Sequence, residues 1–393
     1  MSATSVQLAG NAATAAHFDS LLHLVNHKDE AVNEARHAQK ERDRLVRLMR
    51  GARVRIPDLQ ATMSHWAQGV NPEIARLELD SQKALAEILH RPEDSGRLKK
   101  MNRSGVALFG ASWWAYAPYE ALLIATLLSI WLFVWDDESD SVEFSDLIND
   151  FERSCAFRRE TMAYIEASMQ KNRTVDLSSI STNSVVTNFR PVGEAIATHC
   201  NDRQVKTFLD ELRFFITMSE EEQMYQMTPN LPTVEEYSNR RMGSSAVRVC
   251  LAITEYAFGI TLPDQVMNDE DMEKIWNETN IIISTTNDIL SIKKEVAQDQ
   301  VDTLIPLLAD RLGSPQASID RSSQIVEESV ERLDAASERL LARYAHDEKT
   351  QADLGKFIEG CQYACTANLN WSMVSGRYRL NLTTMKGGVW VTL

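Results

Sequence analysis

Between Glu120 and Asp136 the chain runs fifteen residues without a charge, Ala121 to Trp135, ALLIATLLSIWLFVW. Such a run has two outlets, a bilayer or the interior of a folded domain. A bilayer span takes about 20 apolar residues, and acids bracket this shorter run on both sides. The expectation is therefore a helix buried at the centre of a globular domain, with no membrane span. Ten prolines and fifteen glycines in 393 residues leave little to interrupt helices. Helical periodicity recurs along the chain, and no alternating β-branched runs separated by Asn-Gly turns occur, which predicts an all-α fold. Helices are expected at about 73–90, 116–135, 145–170, 191–200, 202–227, 233–259, 270–297, 298–312, 315–345 and 348–376. The polar stretch between Lys171 and Val192 reads as a long surface loop.

Residues 1–52 stand apart: an Ala-rich start, then a charged helical stretch that turns basic from Arg36 to Arg55. This is expected to be an appended arm whose basic end is a solvated helix face, with folding over an anionic site as the alternative. Pro57 breaks the helix, so one undivided domain is expected over 53–393. Forty-one Lys plus Arg against fifty-six Asp plus Glu give a net charge of −15, which repels polyphosphate backbones and argues against a nucleic-acid partner. An anionic substrate would need metal ions or a local basic cluster. The five cysteines, Cys155, Cys200, Cys250, Cys361 and Cys365, show no zinc spacing and read as buried thiols in a reducing compartment. Met1 to Gly10 lacks a basic start followed by an apolar core, so no signal peptide and a cytoplasmic location are expected.

The apolar run ends in Phe133-Val134-Trp135-Asp136-Asp137-Glu138-Ser139-Asp140. Asp136 and Asp140 share one helical face with Phe133. Four acids in five residues also meet the negative end of the helix dipole, an arrangement that is destabilising without a cation. Mg²⁺ takes carboxylate oxygens and shares its shell with substrate phosphates and water. Taken alone, the run also reads as an acidic helix end in solvent. A second acidic cluster, Asp269-Glu270-Asp271, lies among turn residues and is assigned no chemistry. Farther on, Asn287, Ser291 and Glu295 fall at i, i+4 and i+8, which stacks an amide, a hydroxyl and a carboxylate along one face as oxygen ligands for Mg²⁺. Lys294 beside them can pair with a phosphate. Asn and Ser are poor in helix interiors, so something other than helix stability selects them.

These segments together resemble a class I terpene synthase of the fungal sesquiterpene cyclase type. In that family a DDxxD or DDxxE motif, matched by Asp136 to Asp140, faces an NDxxSxxxE motif across the cavity of a helical bundle. The resemblance implies one class I terpenoid synthase-like bundle with a central active-site cavity and three Mg²⁺ held against a prenyl diphosphate. It places Asp136 on one side of the metal cluster and Asn287, Ser291 and Glu295 on the other, with Asp140 supporting by hydrogen bonding. Asn370 to Tyr378 resembles the family's NWSxxSGRY segment, which implies that Arg377 and Tyr378 hydrogen-bond the diphosphate. Tyr237-Ser238-Asn239-Arg240-Arg241 resembles the segment carrying a diphosphate-sensing arginine, with Arg241 the match. Where the family often has a glycine four residues later, this chain has Ser245, which keeps the backbone carbonyl but supplies no glycine to break the helix. The likeness runs from about Val54 to Tyr378.

By that resemblance the chain is expected to be a Mg²⁺-dependent terpene cyclase that ionises farnesyl diphosphate and closes the carbocation to a sesquiterpene. Arg241, Lys294, Arg377 and Tyr378 hold the departing diphosphate, while an aromatic cavity keeps the cation from water. Phe133 and Trp371 are assigned to that cavity, with ordinary core as the alternative; Trp113, Trp114 and Trp131 are weaker candidates for it, residues of their kind being more often core than cavity. Cyclases of C10 or C20 substrates, a chain-elongating synthase and a non-catalytic helical scaffold are the alternatives. Elongating enzymes carry two aspartate-rich motifs, whereas the second motif here is Asn/Ser/Glu. A monomer or homodimer is expected.

Overall fold

The computed structural model describes residues 34–141 and 143–393, with Asp140 by its backbone alone. Helix α1 (34–49) leads into strand β1 (Arg53–Ile56) and a short turn of helix, α2 (Leu59–Thr62). Then follow α3 (Ile74–Ile88), α4 (Ser95–Ser104), α5 (Val106–Trp113), α6 (Tyr119–Asp140), α7 (Phe151–Ser168), α8 (Ser184–Thr187), α9 (Arg190–His199) and α10 (Asp202–Gln226). The rest comprises α11 (Val234–Ser244), α12 (Val247–Ala252), α13 (Thr254–Phe258), α14 (Asp264–Met267), α15 (Glu270–Ala297), α16 (Leu304–Leu312), α17 (Pro315–Arg343), α18 (Glu348–Val374) and β2 (Val389–Thr392).

The uncharged run is the axis of this bundle. Pro118 sets the start of α6, and Leu122, Ala125, Leu128, Ile130, Trp131, Val134 and Trp135 are all 0–1% exposed. By length and composition α6 could cross a membrane; here its apolar side chains are spent on the protein core, at about 1.5–3 kcal/mol for each large one buried. It packs against α3, α5 and α9, while α5 meets α18, α18 meets α15, and α10 lies on α7, α11 and α12. Gly110 permits the close approach of α5 to α6, since a methyl there would collide with Thr126. Elements α5, α6, α10, α11, α12, α15 and α18 thus surround one central space.

Several sequence expectations need correction. Residues 95–113, given no helix, form α4 and α5. The segments expected from 145 and 298 begin only at Phe151 and Leu304, and the one over 233–259 is three helices. The stretch between Lys171 and Val192 contains α8, with Val185, Val186 and Phe189 buried. β1 pairs antiparallel with β2, Val54 opposite Val391, so two four-residue strands interrupt the all-helical pattern. The basic part of the arm is not a solvated face throughout. Leu45 and Met49 are fully buried, and Arg44 and Arg50 pair with Asp310 and Asp299. The arm's first 33 residues lie outside the described residues. The cysteines are unpaired thiols, Cys155 part-buried and the others buried.

Asp271, read as part of a chemically idle acidic cluster, holds α15 to α17. Its side chain is 1% exposed and binds Arg339, Arg343 and Lys274 at 2.7, 3.0 and 3.3 Å. The Arg339 hydrogen bonds lead in lowering its pKa to about 2, against the opposing effect of burial. A carboxyl with a depressed folded pKa stabilises the fold above its unfolded value, and that contribution is lost as pH falls through the folded one. Asp271→Asn is expected to cost about 2 kcal/mol at pH 7 and to flatten the acid limb between about pH 4 and pH 2 in thermal denaturation. Superimposable acid limbs for the two proteins would refute this.

Candidate active site

At its C-terminal end α6 separates its acids by helical rotation. Asp136 faces the central space, and Asp137 turns to Arg377 at 3.6 Å. Glu138 turns the other way, accepting from the buried Arg97 Nη1 at 2.5 Å. Arg97 also donates to the Val134 carbonyl, so one guanidinium caps the last turn where the dipole and the acids would otherwise repel. Asp136 opens onto the cavity (side chain 37% exposed), with Arg377 Nη2 3.8 Å away. Burial, joined by the charge of Asp137, raises its pKa, and Arg377 opposes the rise.

Across the cavity α15 presents its i, i+4, i+8 face. Ser291 Oγ donates to Glu295 Oε1 at 2.5 Å, and Thr303 Oγ1 donates to Glu295 Oε2 at 2.7 Å. Asn287 Nδ2 donates to the Tyr378 hydroxyl at 2.7 Å, while its Oδ1 accepts from Arg241 Nη2 at 2.9 Å. One amide therefore ties α11, α15 and the segment after α18 together. Asp288 accepts from the Tyr237 hydroxyl at 2.9 Å and lies 3.6 Å from Arg241. Burial pushes Asp288 up to about 7 despite Arg241, and raises Glu295 despite its hydrogen bonds. Lys294 is lowered, first by burial and then by the charge of Arg377.

The break between α11 and α12 occurs without the usual glycine. Ser245 stays in the right-handed region and Ala246 takes the left-handed turn at φ 58°. Ser245 Oγ donates to Asn280 Oδ1 at 2.8 Å, and Asn280 Nδ2 donates to the Met242 carbonyl at 2.6 Å, so α15 holds the break in place. Ser245→Gly keeps the backbone path and loses two hydrogen bonds, the one to Asn280 and the one accepted from the Val247 N–H at 3.3 Å. Turnover within about threefold of the parent and a stability loss of about 1–3 kcal/mol are expected, checked by steady-state rates and thermal melting. A total loss of turnover would contradict this.

Phe133, Asp136, Arg241, Asn287, Ser291, Lys294, Glu295, Trp371, Arg377 and Tyr378 all line one cavity of about 230 Å³. The supporting role expected of the Asp140 side chain lies outside the described residues. Sequence reasoning missed Phe109 and Glu222 and held Trp113 only as a weaker candidate; all three line the cavity. Phe109 is the hub of the aromatic wall, edge-on to Phe133 at 5.4 Å and to Trp371 at 5.1 Å, and 4.9 Å from Trp113. Trp371 anchors its indole N–H on the Ser104 carbonyl at 2.7 Å. Trp131 instead packs on Phe189 in the core. A second cavity, about 270 Å³, shares Asp136, Lys294, Gln300 and Arg377 with the first.

The wall chemistry is divided. Aromatic rings and apolar side chains line one part, and carboxylate, amide and hydroxyl oxygens face Arg241, Lys294 and Arg377 in the other. Hard oxygen donors with raised carboxyl pKa values suit a divalent cation. Among the described residues no three His, Cys, Asp or Glu side chains converge; the other oxygens on this face of α15 are the Asn287 amide and the Ser291 hydroxyl. Arg241 Nε and Ser244 Oγ, both buried at the cavity, have no hydrogen-bond partner among the described residues. Those are donors an anion could use.

Comparison with known proteins gives this geometry a context. Residues 128–332 match the model of terpene synthase family 2, C-terminal metal binding. The sesquiterpene cyclase hepA of Aspergillus oryzae is 29% identical over 333 residues, 83% of this chain and 89% of that protein. The terpene cyclase braA of Annulohypoxylon truncatum is 25% identical over 342 residues, 86% and 89% of the two chains. Among solved structures, germacradien-4-ol synthase from Streptomyces citricolor superposes with a TM-score of 0.66 at 16% identity, over 78% of this chain and 96% of that one. This last likeness concerns the fold.

Proposed function

The chain belongs to terpene synthase family 2, a family of metal-binding enzymes, and from that premise we propose that it ionises farnesyl diphosphate and cyclises the resulting carbocation to a sesquiterpene. The observation that carries the reading is the divided cavity: oxygen donors from α6 and α15 and three cationic side chains at one end, an aromatic wall at the other. The sesquiterpene class is supported by the hepA relative, a sesquiterpene cyclase.

In this reading Asp136, Asn287, Ser291 and Glu295 hold Mg²⁺, in the three-ion arrangement expected of the family. Bound Mg²⁺ supplies Lewis-acid neutralisation of the charge that develops on the leaving diphosphate. Arg241, Lys294, Arg377 and the Tyr378 hydroxyl donate to the diphosphate oxygens, and they are arranged before the bond breaks. Arg377 lies 5.4 Å from the Phe133 ring, at the boundary between the two ends of the cavity. As the allylic C–O bond breaks, the electron pair leaves with the diphosphate and the cation remains among Phe109, Trp113, Phe133 and Trp371. Their ring faces stabilise positive charge without offering a nucleophile, and a dry wall keeps water away.

Diphosphate release with geranyl, farnesyl and geranylgeranyl diphosphate, each with and without isopentenyl diphosphate, tests the substrate. Farnesyl diphosphate is expected to give the highest kcat/KM, with no dependence on isopentenyl diphosphate. Longer prenyl diphosphates formed only when isopentenyl diphosphate is present would move the assignment to chain elongation. Inertness toward every substrate would leave a binding scaffold.

A further inference from the structure

The second cavity receives a residue from outside the domain expected at 53–393. Arg42 of α1 lines it, beside Asp136, Lys294 and Arg377. Its Nε donates to the Pro229 carbonyl at 2.9 Å, and its Nη2 to the Asn230 and Thr228 carbonyls at 3.2 and 3.5 Å. The nearest carboxylate, Asp302, stays at 3.6 Å. Arg44 and Arg50 make closer ion pairs, with Asp310 and Asp299. Arg42, 15% exposed, is thus held by three backbone carbonyls, and its charge is balanced only at the longer distance of the Asp302 carboxylate, 3.6 Å. Nη1 makes none of these contacts and has no hydrogen-bond partner among the described residues. A guanidinium pinned along one edge, with its remaining N–H groups unengaged, is preorganised for a phosphate oxygen.

Charge supports an anion in this chamber. Arg42, Lys100, Lys294 and Arg377 line it against Asp136, Asp137 and Asp302, four cations to three carboxylates. The inner cavity has the opposite balance: Arg241, Lys294 and Arg377 against Asp136, Glu222, Asp288 and Glu295. Of the two cations the outer chamber adds to those it shares, Lys100 is held by Glu143 at 2.8 Å, whereas Arg42 has its carboxylate, Asp302, only at 3.6 Å.

We propose that Arg42 is a diphosphate-recognising residue and that the outer chamber is where the diphosphate group is taken up and from which it is released. The inference rests on the prenyl diphosphate reading. It makes α1 part of the catalytic unit: the helix is anchored by Leu45 and Met49 in the core and presents one guanidinium to the substrate's headgroup.

The test uses the full chain with Mg²⁺ and inorganic diphosphate as the probe, in Arg42→Gln, Arg42→Lys and, as a control on the same helix, Arg44→Gln. Arg42→Gln should raise the inhibition constant of inorganic diphosphate and the KM for the prenyl diphosphate by about tenfold. The loss should fall on these constants more than on kcat. Arg42→Lys should recover part of the affinity, and Arg44→Gln should leave the inhibition constant at the parent value. If Arg42 served only to hold residues 228–230, Arg42→Gln would lower the melting temperature and kcat without moving the inhibition constant, and the proposal would fall. It would fall equally if the parent bound no diphosphate. If the parent turns over farnesyl diphosphate but Arg42→Gln binds inorganic diphosphate as tightly, this inference fails and the reading of the function stands.

Discussion

Asn287→Ala should lower kcat by at least roughly 10²–10³-fold while the far-ultraviolet circular dichroism stays that of the parent. Three roles meet in this one amide. Its Oδ1 is an oxygen donor on the face shared with Ser291 and Glu295, and in the structure it accepts from Arg241. Its Nδ2 fixes the Tyr378 hydroxyl. Alanine removes the oxygen proposed to face the metal and frees Arg241 and Tyr378, the proposed diphosphate donors, from the hydrogen bonds that set them. The loss of two hydrogen bonds costs about 1–3 kcal/mol of stability, too little to unfold a core built on α6. Asn287→Asp separates the roles, because it restores oxygen donors and the Arg241 partner while removing the N–H that binds Tyr378. Its turnover should lie well above that of Asn287→Ala. An alanine variant with parental turnover would remove Asn287 from the metal site altogether.

Arg377→Ala is expected to cause a loss of comparable size, about 10²–10³-fold in kcat, for a different reason. Arg377 stands 3.8 Å from Asp136, 3.6 Å from Asp137 and 5.4 Å from the Phe133 ring, and it lines both cavities. In the proposed reaction it is the cation that receives negative charge as the leaving group departs. Without it Asp136 and Asp137 lose the guanidinium that lies 3.8 and 3.6 Å from them, which should push the Asp136 pKa higher still. Lysine keeps the charge but not the planar fork, so Arg377→Lys should recover only a small part of the rate. Single-turnover diphosphate release, which isolates ionisation from product escape, is the measurement to make. An unchanged single-turnover rate in Arg377→Ala would contradict the role given to this residue.

What was legible in the sequence was whatever a single helix spells out. Asp136 and Phe133 share a face of α6, and Asn287, Ser291 and Glu295 share a face of α15, so helical spacing alone puts each set in line. The apolar run of α6 likewise identified its own burial. Phe109 and Glu222 carry no such spacing signal: they reach the cavity because α5 and α10 are set against their neighbours in one register, which is a matter of packing. Trp113 stayed a weaker candidate for the same reason, among other core tryptophans. The β1–β2 pair escaped notice because four-residue strands are too short for an alternation to stand out, and they are joined across the length of the chain, Arg53 opposite Thr392. That the basic stretch could reach an anionic site was legible, but nothing in it singled out Arg42 from neighbours such as Arg44 and Arg50, which pair with aspartates. Ser245 shows the reverse case: the local glycine signal is absent, yet Asn280 from α15 and the left-handed Ala246 keep the break.

The central claim is that this cavity turns a linear prenyl diphosphate into a cyclic terpene with the help of divalent ions. Gas chromatography and mass spectrometry of the organic extract, after incubating the purified chain with Mg²⁺ and farnesyl diphosphate, tests it most directly. The account predicts a cyclic C15 hydrocarbon or alcohol that disappears when EDTA is added and returns with excess Mg²⁺. An extract containing only unreacted substrate and its spontaneous hydrolysis products, or a cyclic product whose yield EDTA does not change, would contradict it.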